Sequence, residues 1–201
     1  MSVRYAARSR PGTMVSTWLN GLVSGTVPPD AWMPLQSSEL GSGQAEVTFT
    51  SAGSAQPWSQ FQDLVVIVYA RSDRAGTWTD SFVRVNNMSS SGDYGGQDLS
   101  GNGSGVTASV PSTTKGGLWY LPNAGADANV FGCCIYEFFD INSGKYKSFL
   151  TQAASEGGTE NLVWMVASTA KTTDPITEID VITTGGDFIA GSRFDLFGVA
   201  A

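Results

Sequence analysis

Pro175-Ile176-Thr177-Glu178-Ile179-Asp180-Val181-Ile182 runs through Thr183-Thr184-Gly185-Gly186-Asp187 into Phe188-Ile189-Ala190-Gly191-Ser192-Arg193-Phe194-Asp195-Leu196-Phe197-Gly198-Val199. The stretch reads as two strands around a shaped turn. Ile176, Glu178, Asp180 and Ile182 alternate against Thr177, Ile179 and Val181. Phe194 and Leu196 alternate in the same way against Arg193, Asp195 and Phe197, as expected where successive side chains point to opposite faces of a sheet. Gly185-Gly186 takes positive φ at low cost, and Gly191-Ser192 supplies a second sharp bend with Phe188 expected beneath it.

The pattern continues upstream. Ala45 to Thr50 alternates, and Asp63-Leu64-Val65-Val66-Ile67-Val68-Tyr69-Ala70-Arg71 is an unbroken run of β-branched and apolar residues suited to a central strand. Ser81 to Asn86, Gly117 to Pro122, Asn129 to Asp140 and Leu162 to Ala167 add further strands. Asn142-Ser143-Gly144 predicts a tight hairpin into Lys145 to Leu150. Residues 87–105, rich in Gly, Ser and Asn, read as a loop holding Tyr94 and Leu99. About eight strands at this spacing predict an all-β chain, a single antiparallel sandwich of jelly-roll type over residues 45–201. Its expected core includes Val66, Ile67, Val68, Ile135, Phe139, Val163, Met165, Ile179, Val181 and Leu196.

Residues 1–44 differ. Arg4, Arg8 and Arg10 come first, then Trp18-Leu19-Asn20-Gly21-Leu22, then Pro28-Pro29-Asp30-Ala31-Trp32-Met33-Pro34, and nothing alternates for long. Tandem prolines favour extended or turn backbone, and Pro34 pushes Met33 out of the helical region. An extended N-terminal arm is expected, with Arg4, Arg8, Arg10, Trp18, Leu22, Trp32 and Met33 as its partner-binding residues. The surface they meet is either an outside partner or an edge of their own domain.

Composition supports the same class. A chain of 201 residues buries roughly 70% of its unfolded surface in one core. Charged residues make up only 14%, which disfavours long charged helices and favours short strands joined by small-residue turns. The net charge is −7, and the three early arginines leave −10 for the remainder, a body that repels nucleic acid. No apolar run approaches eighteen residues, so no membrane span is expected, and the start lacks the apolar segment of a secretory signal. The two cysteines, Cys133 and Cys134, are adjacent. A bridge between neighbours is strained, so two free thiols in a strand are expected.

The closing strand with its Gly-Ser bend resembles the C-terminal end of tailed-bacteriophage virion proteins with a jelly-roll sandwich. The similarity extends over residues 45–199: a strand like Val47-Thr48-Phe49, a central strand ending at Arg71, Phe82-Val83-Arg84-Val85-Asn86, a loop with Tyr94, and the Asn142 to Lys145 hairpin. This resemblance implies a structural protein of the virion without catalytic residues. Its place would be the capsid exterior, as a decoration or cement protein bound to the major capsid protein or neighbouring virion subunits, as a homotrimer. The alternative is a tail-fibre or tailspike module that binds a receptor or a host surface glycan.

The chemistry in the sequence is sparse. There is no histidine, which removes the Ser-His-Asp and Cys-His arrangements and imidazole metal sites. Carboxylate-pair chemistry needs only Asp and Glu, and Glu137 with Asp140, or Glu178 with Asp180, are the available pairs. Glu178 and Asp180 share a strand face and are expected to point to solvent. Asp93, Asp98 and Asn102 are oxygen donors in a glycine-rich stretch, but their spacing fits no EF-hand. No cofactor is expected. Trp78 and Trp119 are the candidate aromatic platforms for a sugar ring.

Overall fold

The computed structural model describes residues 32–110, 112–158 and 161–200, and in them the alternating runs become twelve strands. In chain order these are β1 (Trp32–Glu39), β2 (Glu46–Thr50), β3 (Asp63–Ala70), β4 (Trp78–Val85), β5 (Tyr94–Gly101), β6 (Val106–Ser109), β7 (Gly116–Pro122), β8 (Gly132–Phe138), β9 (Lys147–Glu156), β10 (Asn161–Ala170), β11 (Glu178–Thr183) and β12 (Arg193–Val199). They form a large sheet of order β1-β12-β3-β8-β9-β10-β5-β6 and a small sheet of order β2-β11-β4-β7. Every pairing is antiparallel. With the hairpins β5–β6 and β9–β10 set aside, β1-β12-β3-β8 lies over β2-β11-β4-β7, a strand order compatible with a jelly roll. Both hairpins extend the large sheet beyond β8.

The core lies between the layers. Val66, Val68, Leu196 and Phe194 from the large sheet meet Val47, Phe49, Ile179, Val181, Val83 and Val85 from the small one, all buried. β11 and β12 lie in different sheets, so the turn between them crosses from layer to layer and does not close a hairpin. Gly186 (φ +70°) and Gly191 (φ +85°) take the left-handed backbone there. Phe188 is buried under the bend, edge-on to Phe194 with ring centroids 4.9 Å apart. The corner is tied to the end of β3, where the Ser192 hydroxyl accepts from the Arg71 N–H at 3.3 Å. Arg71 is itself buried, and its guanidinium donates to the carbonyls of Asp127 (2.5 Å), Val130 (3.0 Å) and Ala126 (3.0 Å), pinning the loop before β8.

Three expectations need correction. First, among the described residues Trp32–Glu39, which precede residue 45, already belong to the sandwich as β1. Met33 and Leu35 enter the core as Trp32 and Pro34 face out, and Pro34 is tolerated because β1 is an edge strand. Met33 is thus a core residue of its own domain and no partner contact. Second, residues 94–101 of the expected loop are β5, and the loop's end leads into β6 at residues 106–109. Tyr94 is buried there, and its hydroxyl accepts from the Val85 N–H at 2.8 Å. Third, Ile135, Phe139, Val163 and Met165 are exposed at 37%, 40%, 62% and 53%, and Ile67 is half-buried. The Asn142 hairpin does join β8 to β9, but its left-handed residue is Asp140 (φ +52°), whose N–H donates to Asp63 Oδ1 at 2.7 Å.

Candidate functional site

The exposed apolar residues fall on one surface, the outer face of the large sheet. Register places Ile67, Ile135, Gln152, Met165, Leu99 and Ala108 in one row from β3 to β6. The adjacent row holds Tyr69, Cys133, Ala154, Val163, Gly101 and Val106. No charged side chain occurs in either row. Tyr69, Leu99 and Val106 are exposed at 49%, 50% and 74%, and the middle of the surface is a shallow groove of about 590 Å³. Tyr69 stacks on Phe131 at 5.1 Å, closing one end.

This face is built by the inserted hairpins. β9, β10, β5 and β6 supply eight of the twelve positions named, and their inner faces still contribute Phe149, Val166, Ala170 and Tyr94 to the core. The strands are therefore apolar on both sides, although the small sheet covers only one. Such strands normally occur where both faces of a sheet are covered. Contiguous exposed apolar surface of this kind marks an interaction site.

The outer face of the small sheet is polar, whereas on the large sheet charge borders the two rows at Asp195, Arg193 and Glu137. The small sheet turns Glu46, Thr48, Asp180, Arg84 and Asp80 outward, and the Lys115 ammonium lies 4.4 Å from the Phe82 ring centre. Asp180, expected at the solvent side, is buried, and it accepts from the Thr48 hydroxyl at 2.8 Å. Burial pushes its carboxyl above the ordinary range, with the Thr48 hydroxyl pulling the other way. Glu178 is half-buried and accepts from the Asn87 side-chain amide. Glu137 and Asp140 sit at the end of β8 and in the turn beyond it, where Asp140 is exposed. Neither carboxylate pair lines a groove.

The remaining expected site residues scatter. Trp119 is fully buried in the core, because β7 turns it inward over Gly132, so it is no sugar platform; Trp78 is half-buried against Gly157. Asp98 is buried and holds β6 by accepting from the Ser109 N–H (2.5 Å) and hydroxyl (2.8 Å). Asp93 accepts from the Ser90 N–H and Asn102 from Ser104 and Gly105, each serving its own turn. Cys133 is exposed on the apolar face and Cys134 is buried, both free. Trp32 is half-exposed at the rim, its ring 6.0 Å from that of Phe197. Arg4, Arg8, Arg10, Trp18 and Leu22 lie outside the described residues.

Comparison of the chain with family models, with curated proteins and with solved structures finds no match.

Proposed function

We propose that this chain is a non-enzymatic structural protein of a bacteriophage virion, a capsid decoration protein that seats the outer face of its large sheet on the shell or on neighbouring virion subunits. The observation that carries the reading is the pair of uncharged rows from Ile67 to Ala108 and from Tyr69 to Val106. A chain of net charge −7 that leaves these two rows free of charge between β3 and β6, with Asp195 and Glu137 at their border, has an apolar centre and a charged rim suited to a protein contact. The sandwich order and the closing Gly191-Ser192 strand accord with the resemblance to phage jelly-roll proteins. A homotrimer belongs to the proposal, since cyclic symmetry closes such contacts without leaving a sticky patch. The glycan-binding alternative loses its platform at Trp119.

The test is occupancy on purified empty capsids that lack the native protein. Met165→Glu places a charge in the centre of the face, and Thr48→Glu places one on the small sheet. The first is expected to weaken binding by about 2–3 kcal/mol, roughly 30- to 150-fold. The second leaves binding unchanged. Equal binding of both variants, or no binding of the unmodified protein, removes the reading.

A further inference from the structure

We propose that β6 is a strand-pairing edge that joins two copies of this chain, antiparallel and two-fold about Ala108. The pairing belongs to the free protein, so it does not depend on the capsid-docking reading. β6 ends the large sheet, and all four of its residues are exposed. Val106 and, just past the strand, Val110 are exposed at 74% and 71%. An edge strand presents a row of unpaired backbone N–H and C=O groups, a template for adding a further strand.

The other three sheet edges are guarded. β1 holds Pro34 with a register shift beside it, β2 holds Glu46, and β7 ends in Pro122. Proline, charge and bulges are the devices that keep edge strands from pairing. β6 is short, but from Leu99 to Val110 the chain has neither a charge nor a proline.

Hydrogen bonds fix which backbone groups are free. The Gly105 carbonyl accepts from the Asn102 N–H at 3.3 Å, the Ser109 N–H donates to Asp98 Oδ1, and the Ser109 carbonyl accepts from the Gln97 amide. Gly105, Thr107 and Ser109 therefore turn their backbone groups toward β5. Alternate residues of an antiparallel strand point these groups to opposite sides, so Val106, Ala108 and Val110 present theirs to the open edge. A two-fold axis at Ala108 sets Ala108 opposite Ala108 and Val106 opposite Val110, which pairs all of these groups and covers both valines. The row that ends in Leu99 and Ala108 then continues into the same row of the second copy. A second copy is the fitting occupant because the stretch is complementary to itself. Two bodies of net charge −7 repel each other, and this uncharged edge lets them meet with no like charges opposed. The contact is smaller than the ~800 Å² per partner of a standard interface, so association should depend on concentration.

Light scattering of the full-length protein over a dilution series is expected to show even-numbered assemblies that dissociate on dilution. Ala108→Pro removes the edge donor without touching the bonds to β5, and Ala108→Lys sets like charges opposite each other. Each is expected to weaken association at least about tenfold, with the melting transition of the dissociated chain retained because edge strands tolerate proline and charge. Position is read separately in a Cys133→Ser background with a short bismaleimide. Ala108→Cys is expected to link two copies, and Ser37→Cys, exposed on β1 at the opposite edge of the sheet, is not. A monomer at every concentration, an odd-numbered assembly, or unchanged association in both Ala108 variants overturns the proposal. Linkage of Ala108→Cys only to Ser37→Cys in a mixture of the two also overturns it, assigning the edge to a head-to-tail ring.

Discussion

On the small sheet the outward positions hold Glu46, Thr48, Asp180, Arg84 and Asp80, and the apolar Phe82 and Ile182 among them are buried, Phe82 beneath Lys115. On the large sheet two adjacent outward rows from β3 to β6 hold Ile67, Ile135, Met165, Leu99, Tyr69, Val163 and Val106, most of them open to solvent. The two faces share one alternating backbone pattern and differ in what the chain placed on its second side. Charge and a cation over a ring finish the small sheet as a solvent face, whereas the two rows of the large sheet between β3 and β6 are left without such finish.

The largest separation is expected in stability. Leu196→Ala, buried between the sheets, should cost about 2–5 kcal/mol through lost transfer energy and a cavity. Val163→Ala, in an equally apolar run but 62% exposed, should stay within about 0.5 kcal/mol. Urea unfolding of both variants measures the difference, and similar losses would mean that the outer face is packed in the isolated chain. Glycines sharpen the contrast. A Cβ on Gly116 would overlap the Phe149 ring, while one on Gly95 meets only Lys171 Cε at 3.9 Å. Gly116→Ala should therefore destabilise by about 1–3 kcal/mol, and Gly95→Ala should be neutral or stabilise by up to about 1 kcal/mol.

A smaller effect is expected from pH on the small sheet. Burial holds the Asp180 carboxyl above its ordinary value of 3.8, so the folded chain binds that proton more tightly than the unfolded one. Stability from this group therefore falls as pH rises from 3.8 through the folded value, and the penalty is complete at neutral pH. Asp180→Asn should melt higher than the parent at neutral pH, with the gap narrowing toward pH 4. A gap independent of pH would contradict the assignment.

The strand pattern of the core was legible because alternation reports a sheet with one covered side. Ile179, Val181 and Leu196 are buried as expected from it. β1 was hidden by Pro34 and by the charge and proline content before it, and β5 by Gly95, Gly96 and Gly101, residues that signal turns more strongly than strands. The exposure of the large sheet's outer face departs from the sequence pattern for a different reason. Cys133 to Phe139 and Leu162 to Val166 are apolar at nearly every position, and such runs look like central strands covered on both sides. Sequence periodicity shows that both sides are apolar, but the number of layers is a property of topology. That the small sheet covers only the inner side, which leaves Ile135, Val163 and Met165 uncovered on the outer one, is visible only once the strands are assembled into two layers.

The native thiols provide the most direct measurement of the docking claim. Cys133 is exposed within the apolar rows, and Cys134, one residue on, is buried with its thiol pushed well above its ordinary range. In the free protein, maleimide should modify Cys133 quickly and Cys134 only on unfolding. Bound to empty capsids, Cys133 should become protected, while a cysteine introduced at Thr48 on the small sheet remains reactive. Unchanged labelling of Cys133 on bound protein, or protection at Thr48→Cys in its place, would contradict the account.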